Sequence, residues 1–113
     1  VSKQLVYTKS FVASSLGNNT LVTPRALKGR LMIFSVLYNP DVDITGEVKI
    51  KLGSEVKSGA RNPKTGALYG FNHNPNFILG AIGESLVVDL PSTTATTFDV
   101  TWREVPDWTS DGV

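Results

Sequence analysis

The chain has 113 residues, a net charge of +1, 41% hydrophobic and 19% charged residues, which is the size and balance of one globular core. That balance argues against two cores or general disorder, and the absence of cysteine excludes a disulfide framework and a thiolate metal site. Near-neutrality argues against nucleic acid or an anionic membrane as partner, and the apolar run Leu31 to Tyr38 is far shorter than the ~20 residues a membrane helix needs.

In chain order, Gln4 to Val12 has the β-branched and aromatic content of a strand, with Leu5, Tyr7 and Phe11 on one parity, and predicts a first strand or an extended arm. No basic cluster followed by an apolar run marks a signal peptide before it. Leu16-Gly-Asn-Asn-Thr reads as a turn-rich loop, and Pro24 sets the entry to a second strand beginning near Arg25. Asn18-Asn19-Thr20 matches the glycosylation pattern, a three-residue match that chance supplies readily. Lys28 and Arg30 alternate with Leu27, Gly29 and Leu31 as in a half-exposed strand, but Met32, Ile33, Phe34, Val36, Leu37 and Tyr38 then fill both faces. One end of this strand is therefore expected to be covered twice, the second time by a loop of the same chain or by a neighbouring subunit.

Asp41, Asp43 and Gly46 echo the start of a calcium loop, but Leu52 stands where the bidentate acid belongs, so the segment reads as a plain turn. Gly46 to Gly53 gives the clearest alternation, with Val48, Ile50 and Leu52 on one face and Glu47, Lys49 and Lys51 on the other. From Gly53 to Gly70 the pattern weakens into a loop-rich surface of short strands, with turn signals at Asn62-Pro63 and Gly66. The only histidine, His73, sits among asparagines without an oriented partner for base chemistry. Phe77-Ile-Leu forms a short strand, Gly80 to Glu84 a turn, and Leu86, Val88 and Leu90 one face of the strand that follows. Phe98, Val100 and Trp102 then alternate with Asp99, Thr101 and Arg103, Trp102 as a core anchor, until Pro106 breaks the sheet. About seven or eight short strands and no convincing helix predict an all-β chain, a single antiparallel β-sandwich of jelly-roll type spanning 1–113, with extended arms at 1–9 and 106–113.

Charge is unevenly spread. Residues 1–40 carry Lys3, Lys9, Arg25, Lys28 and Arg30 and no acid, whereas residues 81–113 carry Glu84, Asp89, Asp99, Glu104, Asp107 and Asp111 against Arg103 alone. Pairing of the terminal strands would neutralise this within one chain, and complementarity between subunits would use it outside. No nucleophile elbow, phosphate loop or metal-spaced cluster is present, so no enzyme and no cofactor are expected.

Gly80-x-x-Gly83-Glu84-x-Leu86-x-Val88-x-Leu90, a Thr-rich turn and Val100-Thr-Trp102-Arg-Glu104-Val105 together resemble small β-sandwich virion proteins of tailed bacteriophages, of the capsid decoration or cement type. The resemblance takes in the strand near Arg30 to Tyr38 but neither 56–75 nor 106–113. It implies a non-enzymatic jelly roll, often trimeric, on the outer capsid surface of the virion, with the major capsid protein as partner. The arms would then be contacts, Trp108 the anchor, with Lys3, Tyr7, Lys9, Phe34 and Asp107 as further contact candidates. A carbohydrate- or receptor-binding module of a phage tail or fibre is the alternative, using Tyr69, Phe71, His73 and Asn74: sugars stack on aromatic faces while amides read hydroxyls.

Overall fold

A computed structural model of the chain describes residues 6–106. Its strands are β1 (Val6–Ala13), β2 (Gly17–Val22), β3 (Gly29–Tyr38), β4 (Glu47–Leu52), β5 (Glu55–Arg61), β6 (Tyr69–Asn72), β7 (Ile78–Leu79), β8 (Leu86–Leu90) and β9 (Thr96–Pro106). The pairings describe one long hairpin folded at the β4–β5 turn: β4 pairs β5, β3 pairs β6 and β7, β2 pairs β8, and β1 pairs β9. Winding that hairpin up adds two ladders, β3 with β9 and β4 with β8. Two antiparallel sheets result, β1-β9-β3-β6 with β7 continuing the β6 edge, and β2-β8-β4-β5. This is jelly-roll topology, in which each half of the folded hairpin contributes to both sheets.

The strands form where the sequence alternates. Leu86, Val88 and Leu90 are buried on β8, Val48, Ile50 and Leu52 on β4, and Phe98, Val100 and Trp102 on β9, each set facing the opposite sheet because side chains alternate along a strand. The Trp102 ring lies 5.3 Å from Tyr7 and 5.7 Å from Phe11, and Phe98 lies 4.8 Å from Tyr38. These aromatic pairs tie the two terminal strands and β3 together.

Several expectations are corrected. The expected sandwich forms with nine strands, close to the seven or eight expected, and the added one is β2. Gly17 to Thr20, expected as a loop, belongs to β2: an edge strand can carry amides, and Asn19 Nδ2 donates to the Ser15 and Gly17 carbonyls. The strand expected from Arg25 starts at Gly29, after a turn in which the Gly29 N–H donates to the Ala26 carbonyl. Pro106 ends β9 in register with Gly29 instead of preceding the break, a terminal place where its missing N–H does no harm. Of the arm expected over 1–9, Val6 to Lys9 belong to β1 and are paired with β9.

The two-faced run in β3 has a simple cause. Ile33 lies opposite Trp102 and Ser35 opposite Thr101, so Phe34 is an extra residue in a β-bulge. The bulge resets parity: Leu31 and Ile33 face the core before it, Val36 and Tyr38 after it.

Candidate interaction surface

The inner face of the β1-β9-β3-β6 sheet is occupied by the core, which leaves the outer face to be explained. Val6 on β1 and Met32 on β3 both stand opposite Arg103 on β9, and Met32 also stands opposite Leu79 on β7. Phe34 lies outside the core cluster, half-buried, and meets Phe77 edge-on at 6.1 Å. The Phe34 carbonyl accepts a bond from His73 N–H at 2.9 Å, which pins the β6–β7 loop across the bulge. The second cover expected for this strand is therefore supplied in part by its own chain. Beneath it Met32 is buried, while the apolar residues around it remain partly in water, Phe77 46% exposed, Leu79 40% and Val6 54%.

Arg103 gives this face its polar point. Its Nε is buried and, among the described residues, has no hydrogen-bond partner, an arrangement that ordinarily demands an acceptor. The outer face thus combines an aromatic pair, two exposed apolar side chains and a guanidinium, the mixture found at the centres of protein interfaces.

Among the described residues the carboxylates do not form ion pairs with the basic N-terminal strands, the first of the two arrangements the charge distribution suggested. Although β1 pairs β9 and β2 pairs β8, Asp99 accepts from the Ser10 hydroxyl, Glu104 from the backbone N–H groups of Arg25 and Ala26, and Glu84 from that of Ala81. The ion pairs among the described residues are Lys49–Glu47 and Lys57–Glu55, both within a strand. The Lys57 hydrogen bond, aided by its charge, holds the Glu55 carboxyl below the ordinary carboxylate range. Glu84 and Glu104 here brace loops, since a hydrogen bond to a charged acceptor contributes more than an exposed ion pair.

Of the contact candidates, Lys3, Asp107 and Trp108 lie outside the described residues. Tyr7 is half-buried against Trp102, on the core side of β1 and not on an exposed arm. Lys9 shares that face at the sheet edge, its Nζ 5.9 Å from the Tyr7 ring centroid, an inward charge that discourages edge-to-edge pairing. Phe34 alone stands on the outer face. The two-faced run in the sequence marks Phe34, whereas the exposure of Phe77 and Leu79 depends on where the loop after Asn72 lands.

The alternative ligand residues are dispersed between core and loop. Tyr69 and Phe71 lie half-buried against the core, Tyr69 stacked on Tyr38 at 5.5 Å and Phe71 on His73 at 5.0 Å. The Tyr69 hydroxyl accepts from Lys64 N–H, and Asn74 N–H donates to the Asn72 side chain in the adjacent turn. One ring face each of Tyr69 and Phe71, the Tyr69 hydroxyl and the Asn74 backbone N–H are thus engaged within the chain. At the turn that echoed a calcium loop, Asp43 accepts from Thr65 N–H and Asn39 from Gly66 N–H, so these side chains close turns. Among the described residues no three metal-ligating side chains group together.

Comparison with protein-family models, with curated proteins and with solved structures finds no match.

Proposed function

We propose that the chain is a structural virion protein of the decoration or cement type, which binds the outer capsid surface as a homotrimer and holds neighbouring capsid subunits together. The observation that carries this reading is the outer face of the β1-β9-β3-β6 sheet, where Phe34, Phe77, Leu79 and Val6 leave apolar surface beside Arg103 after the chain's own loop has closed over the bulge. Burial of such a mixed surface against a repeated neighbour is how a cementing protein works, and symmetric repetition multiplies a modest contact. The resemblance carried by Gly80 to Leu90 and Val100 to Val105 points the same way, and the jelly roll supplies a rigid scaffold for it.

The test is occupancy of capsids prepared without this protein. Phe77→Asp on the outer face and deletion of residues 106–113 should each lower occupancy while the thermal transition persists. Full occupancy by both folded variants contradicts the proposal. Sedimentation supplies the oligomer test: a trimer that loosens in moderate salt agrees with contacts made by opposite charges, and a monomer at every salt concentration contradicts them.

A further inference from the structure

The end of the sandwich where β3 begins is built differently from the rest. Two tight turns lie side by side there. In the first, Gly29 N–H donates to the Ala26 carbonyl at 3.0 Å, and in the second Glu84 N–H donates to the Ala81 carbonyl at 3.1 Å. Each turn presents a large aliphatic side chain just after its first residue, Leu27 at 93% exposure and Ile82 at 48%. Turn tips ordinarily carry polar residues, and a leucine that far in water contributes nothing to the core.

Both turns are braced from below. The Glu104 carboxylate accepts from Arg25 N–H at 2.8 Å and from Ala26 N–H at 2.7 Å, one oxygen to each. A Cβ on Gly29 would lie 2.5 Å from Glu104 Oε2, so glycine there admits the carboxylate. Glu84 Oε1 accepts from Ala81 N–H at 2.8 Å, and Gly83, with φ of 77°, takes the left-handed position that this turn requires. The turns are also tied together: Gly83 N–H donates to the Gly29 carbonyl at 3.0 Å, the Thr23 and Ser85 hydroxyls are 3.0 Å apart, and Arg30 Nε donates to the Gly80 carbonyl at 2.9 Å. Rigid presentation lowers the ordering cost of binding.

Charge says what fits. Arg25 and Lys28 flank Leu27, both exposed and without an ion pair among the described residues, while Glu84 and Glu104, the acids at this end among the described residues, are turned to backbone N–H groups. We infer that this end of the jelly roll is a docking surface for a protein partner with an apolar pocket rimmed by carboxylates, Leu27 and Ile82 being the anchors and Arg25 and Lys28 the rim. A lipid surface is the poorer match, because two short aliphatic side chains give little insertion without an aromatic belt or a second lipid-directed signal. The inference rests on the capsid reading, and the partner it names is the acidic outer surface of a capsid subunit.

The experiment compares Leu27→Ser, Ile82→Ser, the double variant and Arg25→Glu/Lys28→Glu with wild type on capsids prepared without the protein, with thermal unfolding as the folding check. The double serine variant should bind at least about tenfold more weakly, the loss expected for truncated anchors. Charge reversal should weaken binding most at low salt. If wild type leaves the capsids bare, the capsid reading fails and takes this inference with it. If wild type binds and the folded double serine variant binds equally, the inference alone is overturned. Wild-type binding to phosphatidylserine–phosphatidylcholine vesicles that is lost in Leu27→Ser would overturn it in favour of a membrane.

Discussion

The centre of the sandwich and its β3-entry end treat apolar side chains in opposite ways. At the centre, Phe98, Val36 and Val100 are fully buried between two sheets, and their contribution to folding follows from area removed from water. At the end, Leu27 and Ile82 are lifted into solvent by turns whose polar groups are satisfied by Glu104 and Glu84. Stability resides in the first region. The second is held in shape by it and is free to serve contact.

Mutation separates the two. Phe98→Ala should cost about 3–5 kcal/mol, measured by denaturant unfolding, because a large buried ring leaves a cavity against Tyr38. A loss under about 1 kcal/mol would mean that the centre is not the source of stability. Tyr38 offers a second probe of the same region: burial, then the nearby Tyr69, pushes its hydroxyl up to about 12. The folded state therefore keeps this proton where the unfolded chain loses it. Stability should fall as pH rises from about 10 to 12, by on the order of 2 kcal/mol. Tyr38→Phe should flatten that slope, and an unchanged slope would show that other groups cause it.

At the end of the sandwich the effects should be smaller. Glu104→Ala removes the acceptor for two N–H groups and should cost about 1–3 kcal/mol, with faster amide exchange at Arg25 and Ala26. Leu27→Ser should change stability by less than about 0.5 kcal/mol. A large loss there would erase the distinction between the regions, since it would make Leu27 part of the fold.

The same contrast explains what could be read from the sequence. Val48, Ile50 and Leu52, like Phe98, Val100 and Trp102, alternate strictly, and such a period fixes both strand and buried face, so the sandwich was legible. β2 was not, because Asn18, Asn19 and Thr20 have turn-forming side chains and their strand geometry comes from pairing with β8. Leu27 shares the alternation of β3 in the sequence but lies in a turn before it, where the Ala26 N–H is held by a carboxylate 78 positions away. Phe34 was flagged by its two-faced neighbourhood, but the bulge that turns it outward is a property of the β3–β9 register. Long-range partners, invisible in local pattern, decided each of these.

The proposed role predicts where the molecule sits. Electron cryomicroscopy of capsids incubated with the purified protein should show jelly-roll density grouped in threes on the outer surface, bridging adjacent capsid subunits. Bare capsids at saturating protein, or isolated single copies that bridge nothing, would contradict it.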